Sequence, residues 1–275
     1  MSEKIEKSKK DVMYDKRVAV TKCGEYNADR IYEILKCQLD SLGVSRSEIE
    51  GKKVVLKPNL LLAYSPEKAA TTHPEVVIAA ARLFKDFGAA QVLIAESPGG
   101  LYTEKTLSSI YDTTGMKKAA ETAGISLNYD ISSSSVHIPD GKVSKTLDII
   151  KPVLDCDIIV DLCKLKTHSL AGVTCAAKNL FGLVPGITKF EMHARFKNQD
   201  DFISMVVDLN EKMMKEKTVI SICDAVMCME GSGPSAGHPR FAGLILSSRN
   251  QFSLDLLATE IISMTGKVKM NEYAA

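Results

Sequence analysis

Hydrophobic and polar positions along this chain switch repeatedly between two periods. Short apolar runs bounded by polar or glycine-containing turns predict strands at residues 17–22, 53–57, 91–95, 158–162, 219–223 and 242–246. Between them the apolar residues recur at helical spacing. Ile31, Ile34, Leu35, Leu39 and Leu42 form one stripe that ends at Gly43, predicting a helix over 28–42. A second helix opens at His73-Pro74-Glu75, with proline in its first turn, and stops at Gly88. Further helices are predicted over 107–123, 201–214 and 254–264, and Ser132 to Ser135 reads as a loop. Strands alternating with helices predict an α/β fold with a Rossmann-like, mostly parallel sheet and helices on both faces. Residues 1–15 are charged and read as a disordered tail, and 16–275 as a single α/β domain.

Composition changes this picture only by exclusion. The 275 residues are 45% hydrophobic and 25% charged, as in an ordinary globular chain, and a net charge of +1 argues against nucleic acid as a partner. No apolar run approaches the roughly 20 residues that span a bilayer, and the N-terminus lacks a signal peptide's apolar stretch, so the expected location is cytoplasmic, with no membrane partner. Seven cysteines occur without a C-x-x-C pair, which predicts buried reduced thiols and no iron–sulfur cluster within residues 1–275; Cys175 stands apart because it lies three residues before Lys178.

Candidate chemistry gathers in the turns that follow the strands, where open α/β sheets bind ligands. After the second strand come Lys57-Pro58-Asn59 and then Thr71-Thr72-His73; after the third, Glu96-Ser97-Pro98-Gly99-Gly100; after the fifth, Asp224 and the loop Glu230-Gly231-Ser232-Gly233-Pro234. Glu96 suits a ligand hydroxyl or a cation, and the glycines let backbone N–H groups face an anion. For each there is a plain structural alternative: His73 as a helix-cap neighbour, Glu96 as a turn brace, Gly-x-Gly-Pro as a tight loop.

The densest segment is Lys164 to Gly186, KLKTHSLAGVTCAAKNLFGLVPG. Lys164 and Lys166 alternate out of a strand end and form either a cationic rim or a solvated edge pair. Thr167 and Ser169 offer capping hydroxyls for a following helix. Lys178, among Ala176, Ala177, Leu180 and Phe181, is expected to be partly desolvated, which lowers an amine's pKa and suits it to act as base or nucleophile. A straight helix from His168 to Lys178 would hold the two about 15 Å apart, so they meet only if the chain is irregular near Gly172. Asn179 completes the group.

The segments KPNLL, TTHPEVV, VLIAESPGG, KLKTHSLAGVTCAAKNLFGLVPG and DAVMCMEGSGPSAGHPR, in that order, resemble the uncharacterised family catalogued as domain of unknown function 362. Longer members carry a ferredoxin-type iron–sulfur module after this region. The resemblance therefore implies either a fragment of such a protein or a member without the module, and a ferredoxin-type redox partner. The pattern His168-x-x-x-Gly172-x-Thr174-x-x-x-Lys178, then Pro185-Gly186 and His193, is also similar to the active-site segment of nickel-pincer lactate racemases. That similarity implies Lys178 as covalent anchor or nucleophile, His168 and His193 as ligand or acid/base, and a nickel-pincer-type cofactor. It is partial: Ala176-Ala177 replaces the usual glycine pair, Ser97-Pro98 the histidine after the third strand, and His73 an arginine.

Two functions remain open at this level. One is an enzyme transferring a proton or hydride on a small carboxylate, with Lys178, His168 and His193 as catalytic residues. Lys57, Asn59, Thr72, His73, Glu96, Ser97, Lys164, Lys166, Asn179, Asp224, Glu230, Gly231 and Gly233 would then bind the small anionic molecule. The other is a non-catalytic ligand- or partner-binding module of an iron–sulfur electron-transfer protein, predicted to show an open, lysine-rimmed groove without converging histidines.

Overall fold

The structure is a computed structural model that describes residues 15–169, 171–196 and 198–262, without the side chains of 187, 190 and 193–195. The expected tail, apart from its last residue, and the end of the expected helix 254–264 lie outside the described residues. One eight-stranded sheet organises them: β1 (Val18–Lys22), β2 (Lys53–Pro58), β3 (Gln91–Ile94), β4 (Ser126–Leu127), β7 (Ile158–His168), β8 (Gly172–Thr174), β9 (Thr218–Glu230) and β10 (His238–Ser248). A separate hairpin pairs β5 (Ser133–His137) with β6 (Thr146–Ile150). Along the large sheet the order is β1-β10-β9-β7-β2-β3-β4, with β8 on β7. Its centre, β9-β7-β2-β3-β4, is parallel, and β1, β10 and β8 pair antiparallel.

The longer helices are α1 (Ala28–Ser41), α2 (Pro74–Asp86), α3 (Glu104–Thr113), α4 (Met116–Ala123), α5 (Gly186–Arg195), α6 (Gln199–Glu216) and α7 (Gln251–Ile261). One group, α1, α2 and α4, packs together against β1, β2, β3 and β10. Another, α6, α7 and the one-turn helix Ala176–Asn179, packs against β7, β9 and β10. Both groups bury apolar stripes on the sheet, Ile31, Leu35 and Leu39 of α1 and Phe202, Met205 and Leu209 of α6 among them.

Three expectations need correction. The strand at 158–162 continues to His168, because β7 is central and its polar end is paired to β9 and β8 rather than to water, so Thr167 and Ser169 cap no helix. The single helix over 107–123 is two, since Gly115 adopts φ +77, and a Cβ there would lie 2.8 Å from Pro74 Cγ. The serine loop at 132–135 forms most of β5; its exposed strand gave no apolar alternation to read.

The chain runs β2, β3, β4 to one side and then returns to place β7 on the other side of β2. Strand order therefore reverses between β2 and β7, and at such a point the connections leave in opposite directions and open a crevice at the strands' carboxyl ends. Lys57 and Asn59 leave β2 there, Glu96 leaves β3, and Lys164 to His168 form the end of β7.

Candidate functional site

The crevice is a cleft of about 350 Å³ whose wall includes Lys57, Asn59, Glu96, Ser97, Lys166, His168, Thr174, Lys178, Asn179 and Lys189. The hairpin β7-β8 brings His168 and Lys178 to the same space. Gly172, at φ +75, pairs with His168 and turns the chain back, so the two are not separated by a continuous helix.

Asn179 is the hub of the cleft floor. Its Nδ2 donates to Asp161 Oδ1 at 2.7 Å and to the Lys57 carbonyl at 3.3 Å, while its Oδ1 accepts from Asn59 Nδ2 at 2.8 Å and Lys57 Nζ at 3.1 Å. Lys57 is 1% exposed and forms an ion pair with Glu96, which burial pushes above the usual carboxyl range against the pull of Lys57. Lys166, equally buried, donates to Asn59 Oδ1 at 2.9 Å and the Ala70 carbonyl at 2.6 Å, and has no carboxylate partner among the described residues; burial and then the neighbouring lysines hold its pKa well below the ordinary value. Asp161, beneath Asn179 and bonded by Ser221 Oγ at 2.9 Å, is pushed up to about 8 by burial.

Lys178 is partly buried, and its ammonium lies 4.9 Å from the Phe181 ring centre and 5.4 Å from that of Phe202. Among the described residues no carboxylate or hydrogen-bond acceptor pairs with it, and burial brings its pKa down to about 8. Lys189, on α5, donates to the Ser97 carbonyl and is lowered to about 7, again mainly by burial. His168 Nδ1 accepts from the Ala171 N–H at 3.0 Å, which places the proton of the neutral ring on Nε2. The hydroxyls of Ser97 and Thr174, 0% and 4% exposed, face this region without a hydrogen-bond partner among the described residues.

Several expected site residues serve elsewhere. Lys164 is no cationic rim: it is 1% exposed and paired with Asp224 Oδ2 at 2.8 Å, and its Nζ also meets Tyr26 Oη at 2.9 Å. Tyr26 Oη donates to Asp224 Oδ1 at 2.8 Å, and its ring stacks on His73 at 3.6 Å. His73 itself caps α2 through Nδ1, and its N–H donates to Asp224 at 3.0 Å. Thr72 Oγ1 accepts from Asn59 N–H at 2.8 Å and donates to the Leu162 carbonyl at 2.6 Å, fixing the loop rather than facing the cleft. Glu230 is exposed at 3.6 Å from Arg240, and Gly231 and Gly233 turn carbonyls, not N–H groups, toward Thr167 and Ser169. His193 lies in α5, and its side chain is outside the described set.

Lys189, Thr174 and Asp161 complete the arrangement without having been anticipated. Thr174 sat inside the recognised spacing, Asp161 is the lone charge within an apolar run, and Lys189 follows the Pro185-Gly186 stop by one helical turn.

The described residues of the cleft include nitrogen donors of two kinds. They offer one imidazole and four amines; Ser97 stands where a second histidine is expected, and His73 is held under Tyr26. The side chain of His193, the other histidine that the racemase resemblance implies, is outside the described set, and no step is routed through a nickel-pincer cofactor.

The fold and cleft define an α/β protein with a cationic site at its topological switch point. The sequence matches the family described as domain of unknown function (DUF362) over residues 54–260, and the chain belongs to that family. It is 30% identical over 251 residues to a thylakoid-associated protein of Synechocystis sp., covering 90% of this chain and 75% of that one. A crystal structure of a Thermotoga maritima protein shares the fold, with a TM-score of 0.52 and 12% identity over 90% of this chain; the chain spans 61% of that protein's length. The lactate racemase apoprotein from Thermoanaerobacterium thermosaccharolyticum aligns with a TM-score of 0.48 and 14% identity, over 90% of this chain and 58% of that one. Among the described residues no helix is long and apolar enough to cross a membrane.

Proposed function

We propose that the cleft binds a small anionic molecule and that the protein is an enzyme moving a proton on a small carboxylate substrate. The observation that carries this reading is the lining itself: among the described residues, four lysines and two buried hydroxyls without a hydrogen-bond partner share the cleft with one carboxylate, Glu96, which Lys57 already engages. Buried cations without counter-ions are costly, and an anionic ligand supplies the missing charge and acceptors.

Lys57, Lys166 and Lys189 bind the substrate carboxylate, with Ser97 and Thr174 as donors. Lys178, whose pKa near 8 leaves part of the amine neutral at neutral pH, takes a proton from the carbon beside that carboxylate, and the neutral His168 ring offers a second proton-transfer group. A hydride step in the same cleft requires a redox cofactor. A cytoplasmic location belongs to this proposal, supported by the free cysteines. The alternative, a non-catalytic module serving a ferredoxin-type partner, predicts an open, lysine-rimmed groove without converging histidines; what favours the enzyme is a desolvated Lys178 in the same cleft as His168.

Calorimetric titration with oxalate, pyruvate, lactate and inorganic phosphate tests the reading. At least one of these binds the wild-type protein, and Lys178→Ala weakens it at least about tenfold with the fold retained. No binding by any of the four, or equal binding by the variant, overturns the proposal.

A further inference from the structure

Behind the cleft floor, three cysteines from separate elements meet. Cys163 of β7 and Cys223 of β9 are register partners on adjacent parallel strands, and Cys175, at the junction of β8 and the helix Ala176–Asn179, closes over them. Cys175 Sγ lies 3.8 Å from Cys163 Sγ and 3.6 Å from Cys223 Sγ, and all three sulfurs fall within 4.8 Å of one another with no exposure. Sulfurs around a tetrahedral zinc ion with bonds of about 2.3 Å stand about 3.8 Å apart.

A second feature fixes the position of Cys175. Asp255 of α7, 3% exposed, accepts from the Ala176 and Ala177 N–H groups at 2.7 and 3.1 Å and is hydrogen-bonded to the Cys175 side chain. Among the described residues no lysine, arginine or histidine forms an ion pair with it. Each Asp255 oxygen takes one backbone N–H, so the carboxylate pins the start of the helix Ala176–Asn179, and with it Cys175, to α7.

We propose that Cys163, Cys175 and Cys223 hold a zinc ion as its three protein donors. Binding releases the thiol protons to solvent, and because the sulfurs are sealed the ion enters during folding. The ion ties β7 and β9 to the segment that carries Lys178, so its role is structural and independent of what the cleft binds.

The test is metal content after denaturation with a chelator and refolding of the whole chain with or without zinc. The expected result is about one zinc per chain that survives desalting, with a sulfur shell at about 2.3 Å in X-ray absorption. Cys175→Ala and Cys223→Ala lose it, whereas Cys228→Ala, which removes a buried thiol outside the trio, retains it. Should the first two variants fail to fold, refolding the wild-type chain with cadmium gives an ultraviolet sulfur-to-cadmium charge-transfer band. Absence of that band, substoichiometric zinc in the wild-type protein, or equal zinc in Cys223→Ala overturns the proposal.

Discussion

Lys164 and Lys178 belong to one segment, and both carry their ammonium groups at the carboxyl ends of the strands, yet their surroundings are opposite. Lys164 is sealed in a closed set with Asp224, Tyr26 and the His73 backbone, where every charge has an answer. Lys178 rests between two aromatic rings, with no acceptor among the described residues. A lysine whose charge is already met by a buried carboxylate holds the fold; one whose charge is unmet is poised for something that arrives. The difference between them lies in strand register: β9 sets Asp224 beside Lys164, whereas nothing equivalent is set beside Lys178.

The largest effect expected from this contrast is on stability at the closed set. Asp224→Ala strands a buried ammonium and lowers unfolding free energy by about 3–5 kcal/mol in urea titrations; a loss below about 1 kcal/mol breaks the distinction. On the open side, Lys178→Ala leaves stability nearly unchanged while anion affinity falls by about 1.5–3 kcal/mol, read by calorimetry. Tyr26→Phe removes the hydroxyl that bonds Asp224, Lys164 and the Met227 N–H, costing about 1 kcal/mol of stability with cleft affinity intact. The smallest change is expected from Ser97→Ala: the hydroxyl has no partner among the described residues to lose, so stability holds within about 0.5 kcal/mol while affinity weakens by up to about 1 kcal/mol.

Much of the fold was legible in the sequence, because helices such as α1 and α2 carry both an apolar stripe and a stop at Gly43 or Gly88. The site was legible in part. KPN, AESPGG and the segment around Lys178 do converge, since β3 and β7 flank β2 as parallel neighbours and β7 runs on past the end of β2 at the same edge. The Glu230 to Pro234 loop reads like an anion loop, but β9 runs on to Glu230, so that loop packs its carbonyls on the end of β7 with only Pro234 reaching the cleft. Lys164 could not be told from Lys166 by alternation, because the residue that decides, Asp224, lies 60 positions away. The cysteine trio was hidden for the same reason: separations of 12 and 48 residues satisfy no ligand-spacing rule, and only sheet register unites them.

The pH dependence of anion binding bears most directly on the central claim. Burial lowers Lys178 to about 8 and Lys189 to about 7, from an ordinary 10.5, so both are cationic below these values and neutral above them. The sign for stability is opposite: between those values and 10.5 the unfolded chain holds protons that the folded chain has released, so this contribution to the ligand-free protein rises with pH. Calorimetric affinity for whichever of the four anions binds, followed from pH 6 to pH 9 in the wild-type protein and Lys178→Met, separates the two trends. The account predicts that wild-type affinity falls across that range and that the variant shows a smaller fall; affinity that is flat with pH, or identical curves for the two proteins, contradicts it.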